Sequence, residues 1–256
     1  MRHHDEIQST NDHKETPRPV GRVERQFMYT RDNPSPEYRE MVEMYATLHQ
    51  SGAESGRKKD AKRTAAQTFS GKMLMEQAPS IKETITRTAS HSLLDYGCGK
   101  GEAYEEKDLE LSDGTTAVSL KDYWQLDEIR RYDPGYEPFR ELPTGRFDGV
   151  ICIDVLEHIT EPDLPWLLDE LFTYANRFVY ASIACYPAKK HLPNGQNAHC
   201  TVRSPEWWTG LIHAVAMRHT DVCYRFTMAT RTGPRKKFGG LYGKRTLNHQ
   251  TIERKA

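Results

Sequence analysis

A glycine-rich turn at residues 95–101 has the clearest chemical meaning in this sequence. The apolar pair Leu93-Leu94 leads into Asp95, and glycines follow at alternate positions, Gly97, Gly99 and Gly101. Glycine has no Cβ, so at this spacing the backbone can turn sharply and come close to a ligand. Between a strand and a helix, such a turn is typical of a nucleotide-type cofactor site. The dinucleotide fingerprint G-x-G-x-x-G is not met, because Glu102 stands at its sixth place.

A second carboxylate, Asp133, follows a short strand-like stretch and begins an Asp-Pro-Gly sequence. A carboxylate at such a strand end can accept two hydrogen bonds from the vicinal diol of a ribose. Asp-Pro-Gly could equally form only a turn. The gap from Asp95 to Asp133 is nearly twice the roughly 20 residues typical of such a pair, so we predict that 102–128 contains an insertion after the first helix. Only 15 residues separate Asp133 from Asp148, which predicts an absent or rudimentary third strand.

A third group of polar residues follows the apolar strand predicted at 148–153. That strand ends in Asp154, and Glu157-His158 follow after a turn. The carboxyl ends of strands at the switch point of an open α/β sheet face the ligand crevice. Asp154 and His158 are therefore candidates for contact with a substrate. His158 could equally be a hydrogen-bonded structural histidine.

These three stretches occur in the order of the motifs of class I S-adenosylmethionine (SAM)-dependent methyltransferases, which the sequence resembles from about residue 90 to residue 230. The turn Asp-Tyr-Gly-Cys-Gly-Lys-Gly resembles the family's first motif, and Asp-Val-Leu-Glu-His-Ile resembles the motif after its fourth strand. The resemblance implies a Rossmann-like fold, methyl transfer as the reaction and SAM as the cofactor. It also implies these cofactor-binding residues: Asp95, Gly97, Cys98, Gly99, Gly101, Asp133 and Asp154. The family's acid-plus-amide pair that brackets adenine has no clear counterpart.

A long polar loop after the strand predicted at 177–184 carries candidate catalytic groups. Long loops at the carboxyl edge of a sheet often carry function. We rank His199 first as a general base for an acceptor hydroxyl or amine, because the unperturbed pKa of histidine is close to working pH. His158 and Asp154 are the alternatives. Asn197 and His199 could equally only hydrogen-bond the loop backbone.

The same loop and its flanks also contain metal-ligand residue types and a pair of aromatic residues. The metal-ligand types are Cys185, His191, His199 and Cys200. Their spacing matches no common zinc arrangement, so we predict no metal site. The tryptophans at 207 and 208 either stack on a planar substrate or, more commonly, pack into the core.

The periodicity of apolar residues predicts the elements that must position these groups. Helices are predicted at about 36–50, 71–88, 163–176 and 205–217, and strands at about 92–96, 129–132, 148–153, 177–184 and 221–229. This alternation predicts an α/β fold, with a doubly wound, mostly parallel Rossmann-like sheet, helices on both faces and a helical N-terminal extension. We divide the chain into a disordered tail (1–34), a helical extension or lid (35–90), the SAM-binding domain (91–232) and a basic hairpin or tail (233–256).

Composition restricts the function only weakly. The chain has 36 basic and 36 acidic residues, so its net charge implies no particular partner. No run of 18 apolar residues exists and the first residues lack the apolar core of a signal peptide, so no membrane partner is expected. Five scattered cysteines fit a reducing, cytoplasmic compartment better than a disulfide framework.

The acceptor of the methyl group is not determined by these motifs. The chain lacks the Asn/Asp-Pro-Pro-Tyr/Phe motif of amino-methylating DNA enzymes at the strand-four end and the Pro-Cys nucleophile of cytosine-C5 enzymes. O- or N-methylation of a small molecule is therefore the leading hypothesis. Two alternatives stay open, a SAM-binding protein that does not methylate, and an RNA- or DNA-directed enzyme that uses the basic segments 57–63 and 233–245.

Overall fold

The computed structural model describes residues 29–51, 71–233 and 246–255. Its strands are β1 (Ser92–Tyr96), β2 (Leu109–Glu110), β3 (Thr116–Ala117), β4 (Glu128–Tyr132), β5 (Phe147–Ile153), β6 (Ala175–Ala184), β7 (Cys223–Thr232) and β8 (Thr246–Arg254). Its helices are α1 (Pro36–Ser51), α2 (Lys72–Thr88), α3 (Leu120–Trp124), α4 (Leu164–Tyr174) and α5 (Pro205–Ala216). The predicted α/β fold is confirmed.

Six strands form one sheet in the order β4-β1-β5-β6-β7-β8. The neighbouring strands from β4 to β7 are parallel, and only β8 runs antiparallel, along β7. The chain passes from β1 to β4 on one side and then to β5 on the other, so the strand order reverses beside β1. In open α/β sheets the crevice at this reversal, outside the carboxyl ends of the strands, is where ligands bind.

Helices cover both faces of the sheet, as predicted. Alternate residues of each strand enter different apolar clusters: Leu93 packs with α2 and α3, whereas its neighbour Leu94 packs with α1, α4 and α5. The same alternation separates Ile151 from Val150 and Cys152 in β5. Because both faces are buried at the centre of the sheet, β5 and β6 are apolar over most of their length. The outer parallel strand β4 is mostly polar, and β7 alternates apolar residues with arginine and threonine.

The unusual spacing between the candidate site residues has a structural explanation. The insertion predicted at 102–128 forms the small antiparallel pair β2–β3 and the short helix α3. The helix expected directly after the glycine turn is only a 3-10 turn at Glu102–Tyr104. Asp113-Gly114 lies in its turn, where Gly114 has a φ of 81°. Residues 133–146, all of which the structure describes, contain no strand and only a 3-10 turn at Glu137–Phe139. The strand that was predicted to be absent or rudimentary between Asp133 and Asp148 is absent.

The predicted disordered tail extends too far. Residues 1–28 lie outside the described part of the chain, but within residues 29–34 the Arg31 side chain packs against the domain. The Arg31 guanidinium lies 4.8 Å from the centre of the Trp166 ring and donates hydrogen bonds to the Glu170 carboxylate in α4. Ser35 then caps α1, accepting from the Tyr38 N–H at 3.0 Å. The polar composition of 29–34 suggested disorder. Composition cannot show that Arg31 has an ion-pair partner, because Glu170 lies 139 residues away in sequence.

Other boundaries also differ from the sequence prediction. Helix α4 ends at Tyr174 and strand β6 begins at Ala175, so the chain enters the sheet without an intervening loop. The C-terminal segment, predicted as a hairpin or tail, contributes the edge strand β8, whose register runs from Thr246 opposite Thr232 to Arg254 opposite Tyr224. In the described ranges, no helix combines the length and the apolarity needed to cross a membrane.

Candidate functional site

A cavity of about 970 Å³ lies at the carboxyl ends of β1, β4 and β5. Its size is at the upper end of the range for small-molecule sites, about 300–1,000 Å³. All the site residues predicted from the sequence line it: Asp95, Gly97, Cys98, Gly99, Gly101, Asp133, Asp154, His158 and His199. Residues separated by more than 100 positions in sequence therefore share one cavity.

The glycine turn after β1 needs glycine for its backbone geometry and for its packing. Gly97, Gly99 and Gly101 have φ values of 86°, 59° and 64°, which other L-residues rarely adopt. A Cβ on Gly97 would lie 2.4 Å from Cγ2 of Val155, the residue that follows Asp154. The Gly97 N–H also donates to the Tyr132 carbonyl at 2.7 Å. The turn is thus held against both neighbouring strand ends, which leaves little room for any larger residue at 97.

Asp133 connects the glycine turn to its own loop. Its two carboxylate oxygens accept from the N–H groups of Gly99 and Gly135, each at 2.8 Å. Burial raises the pKa of Asp133, while these two N–H donors act in the opposite direction. Asp-Pro-Gly therefore does form a turn, which Asp133 stabilises through the Gly135 N–H. Each carboxylate oxygen keeps a further lone pair, so the geometry also leaves acceptors for a ligand hydroxyl.

Asp95, at the end of β1, is 3% exposed and accepts a hydrogen bond from the Tyr104 hydroxyl at 2.8 Å. Burial raises the pKa of Asp95 to about 7, although the Tyr104 hydrogen bond opposes this shift. Such a perturbed carboxyl in a cavity is a common feature of functional sites. Asp154 is similar: it has a φ of 54°, its carboxylate accepts from the Ser182 hydroxyl at 2.7 Å, and burial raises its pKa.

The two predicted histidines lie side by side, with ring centres 4.7 Å apart. His199 Nδ1 lies 2.6 Å from the Tyr186 carbonyl, and His158 Nδ1 lies 2.7 Å from the Ala198 carbonyl. Because a carbonyl oxygen only accepts, we assign the proton of each neutral ring to Nδ1. Each Nε2 then carries a lone pair. Burial lowers the pKa of both rings, for His158 to about 3, so both are neutral at physiological pH.

Glu157 completes this polar group and was not among the residues predicted from the sequence. It is fully buried, and its Oε1 accepts from the Ala184 N–H at 2.9 Å. Its Oε2 has no hydrogen-bond partner. Burial raises the pKa of Glu157 well above its usual value, and the charge of Asp154 adds to this effect. Its position beside His158 in the Asp-Val-Leu-Glu-His stretch was the signal that could have identified it.

Helix α1 forms a wall of the cavity, which periodicity alone could not show. The amphipathic pattern predicted that its apolar face would be buried, and Tyr38, Met41 and Leu48 are buried. The same face also brings polar atoms to the site. The Tyr45 hydroxyl lies 2.5 Å from His158 Nδ1 and 3.2 Å from the Ala198 carbonyl.

The polar loop after β6 is ordered by its own side chains. The Asn197 side chain accepts from the N–H groups of Ala188 and His199 and donates to the Ala188 carbonyl. The backbone-binding interpretation of Asn197 is thus confirmed. Lys189 and Lys190 line the cavity, as does Arg231, whose guanidinium lies 3.7 Å from the centre of the Tyr186 ring. The cavity therefore has carboxylates at the strand ends and cations at the loop.

The paired tryptophans belong to the core rather than to a stacking platform. Trp208 is fully buried in the cluster with α4, and Trp207 packs at the edge of that cluster, 5.2 Å from Trp208 between ring centres. Neither lines the cavity. The basic segments 57–63 and 234–245, on which the nucleic-acid alternative rests, lie outside the described residues.

Comparison with known proteins gives few matches. No family model and no curated protein matches the sequence. Among solved structures, this chain is similar to a coclaurine N-methyltransferase crystallised with N-methylheliamine and SAH, with 14% identity and a TM-score of 0.26. The match covers 81% of this chain and 48% of that chain, so the similarity extends over about half the length of the solved protein.

Proposed function

We propose that this chain is a SAM-dependent methyltransferase that modifies an oxygen or nitrogen atom of a small molecule. The observation that carries the proposal is the meeting of three separate motifs in one cavity: the glycine turn, Asp133 and the stretch that begins at Asp154. Each of the three resembles a SAM-binding motif in its sequence. The cavity volume of about 970 Å³ leaves room for a cofactor and a small acceptor together.

The residues of the cavity fit a cofactor with a positive charge and a ribose. Asp95 is buried and Asp133 is partly buried, and both have raised pKa values, so a nearby positive charge would stabilise their ionised forms. Asp133 keeps carboxylate lone pairs for a ribose diol. Gly97, Gly99 and Gly101 present backbone without side chains to the cavity.

The remaining task of the protein is to align the acceptor and remove its proton. SAM supplies an electrophilic methyl group, so alignment for in-line displacement is the main contribution of the site. His199 is the candidate proton acceptor, because its Nδ1–H is bonded to Tyr186 and its Nε2 lone pair is left available. His158 is a weaker base, since its pKa of about 3 disfavours protonation.

The test is binding followed by transfer. Isothermal titration in EDTA should show that SAM and S-adenosylhomocysteine bind the full chain. Tritiated methyl from SAM should then enter the small-molecule fraction of a cell extract. Binding without any labelled product would indicate a SAM-binding protein that does not methylate, and label in nucleic acid would indicate the other alternative. Absence of binding would overturn the proposal.

A pair of glycine variants supplies a matched control. Gly97→Ala adds a Cβ against Val155, whereas Gly145→Ala has the same kind of positive φ, 82°, with no atom within 4 Å of the new Cβ. Both changes strain the backbone by about 1 kcal/mol. We expect SAM binding to be lost in Gly97→Ala and retained in Gly145→Ala, with circular dichroism confirming that both fold.

A further inference from the structure

We propose that Glu157, His158 and His199 bind a divalent first-row transition-metal ion in the cavity. One potential ligand atom from each residue lies within 4.8 Å of one from each of the others. The three come from the turn after β5 and from the loop between β6 and α5, two segments about 40 residues apart. No cysteine takes part, which is why the spacing of cysteines and histidines did not indicate this site.

The hydrogen bonds around the cluster leave a lone pair for a cation on each residue. Both histidines donate a hydrogen bond through Nδ1 to a backbone carbonyl, at 2.6 and 2.7 Å. Their Nε2 lone pairs are therefore the ones available to coordinate a metal ion. Metal-ligating histidines commonly use the second ring nitrogen in this way, because the bond fixes the tautomer and the ring orientation. The carbonyls of Tyr186 and Ala198 therefore already hold both rings in the tautomer that a metal ion needs.

Glu157 provides an independent indication that a ligand is needed. Its Oε1 is occupied by the Ala184 N–H, but Oε2 is buried without a hydrogen-bond partner. A buried carboxylate oxygen without a partner costs free energy, because it has given up its hydrogen bonds to water. A cation between Oε2 and the two imidazoles would satisfy it. Asp154, whose charge acts on Glu157, adds favourable negative potential.

The ligand set indicates the class of metal. Two imidazoles and one carboxylate suit zinc, iron, cobalt and related ions, whereas magnesium and calcium prefer oxygen ligands. Ligands of a tetrahedral ion with bonds of about 2.1 Å lie about 3.4 Å apart, so the cluster would contract on binding. Three protein ligands leave at least one coordination position for water or an acceptor atom. With metal bound, His199 would act as a ligand, and the metal would lower the pKa of a bound hydroxyl.

Metal binding can be measured without any assay of methyl transfer. The EDTA-treated full chain is titrated with Co²⁺, whose visible absorption reports coordination, and then with Zn²⁺ as a competitor. We expect one Co²⁺ per chain, displaced by Zn²⁺ and not by a hundredfold excess of Mg²⁺. Since the SAM titration is done in EDTA, failure of this proposal is distinguishable from failure of the proposed methyltransferase function.

Variants locate the site. Glu157→Gln keeps the bond from Ala184 but removes the negative charge, and His199→Ala removes one imidazole. Each should weaken Co²⁺ binding by about 100-fold or more. Cys200→Ser is the matched control, because Cys200 is exposed and adjacent to His199; it should bind as the unmodified chain does. If Glu157→Gln fails to fold, as judged by circular dichroism, His199→Ala decides. Absence of Co²⁺ binding, unchanged affinity in His199→Ala, or loss of binding in Cys200→Ser would overturn the proposal.

Discussion

The two ends of strands β4 and β5 carry the same residue type in contrasting surroundings. At the amino ends, Asp127 is 86% exposed and Asp148 accepts from the His91 N–H and from Arg177. At the carboxyl ends, Asp133 and Asp154 are partly buried, and this removal from water raises the pKa of both. His49 Nε2 lies 3.9 Å from Asp133, but burial lowers the pKa of His49 to about 4, so this ring is neutral at physiological pH. One end is therefore stabilised within the protein, whereas the other holds partly buried acids whose charge a ligand could compensate.

The largest expected effect is on stability, from Asp95→Asn at the carboxyl end. The folded chain keeps a proton on Asp95 up to about pH 7, whereas an aspartate in the unfolded chain loses it near its ordinary pKa of 3.8. Stability should therefore fall as pH rises from about 4 to 7 and stay constant above that. The variant should be more stable above pH 7, by up to about 4 kcal/mol, and this gain should disappear towards pH 4. Urea unfolding measures it.

Its control is Asp127→Asn, where an exposed carboxylate should leave stability nearly unchanged at every pH. An equal gain in both variants would show that net charge, rather than the burial of Asp95, causes the effect. Asp95→Asn should also weaken SAM binding, because it removes a carboxylate that the positive charge of the cofactor would stabilise. A gain in stability together with a loss of binding is a common trade-off at functional sites.

The next effect compares the two ends of β4 directly. Asp133→Ala should weaken SAM binding by one or more charge-assisted hydrogen bonds, each worth about 1.5–3 kcal/mol, because it removes the acceptors for the ribose diol. Asp127→Ala should bind SAM with an unchanged dissociation constant. Calorimetric titration measures both. Equal affinity in the two variants would show that Asp133 only supports the Gly99 and Gly135 backbone.

The two ends of β5 should differ in which property a substitution changes, stability at the amino end and SAM binding at the carboxyl end. Asp148→Ala should lower the free energy of unfolding by about 1–2 kcal/mol, because it removes the acceptor for His91 and Arg177. It should leave SAM binding unchanged. Asp154→Ala should weaken SAM binding with less loss of stability, as its charge is unfavourably buried. Chemical denaturation together with calorimetry separates these outcomes, and a reversed pattern would contradict the division between the two ends.

The smallest effect concerns the cations of the loop. Burial is the main cause of the lowered pKa values of His158 and His199, and the positive charge of Lys190 adds to it. The same charge should oppose a metal cation at these rings. Lys190→Met should raise Co²⁺ affinity about threefold at low salt, and less at high salt. Lys255→Met, at the far edge strand, should have no effect in the same titration. A decrease in affinity for Lys190→Met would argue against a cation at this cluster.

The sequence by itself determined the local features of this protein. Glycines at 97, 99 and 101 indicated a turn with positive φ, and apolar periodicity located the five parallel strands and the four longer helices, because both depend on short-range backbone preferences. It did not locate β2, β3, β8 or the short helix α3. The short interval after Asp133 was enough to predict that the next strand would be absent or rudimentary, since an element needs a minimum length of chain. These features predicted the fold class. They also predicted that the candidate cofactor residues would lie at the carboxyl ends of the strands.

Only the tertiary structure decided which polar atoms meet there. Glu157 and His158 approach His199 because β5 and β6 are paired and the loop after β6 folds back over their ends. Tyr45 reaches His158 from a helix more than 100 residues earlier, and Arg31 finds Glu170 only once α4 is packed. Such contacts depend on burial and on partners distant in sequence, so no local pattern encodes them. The same burial leaves Oε2 of Glu157 without a partner, which residue types alone could not show.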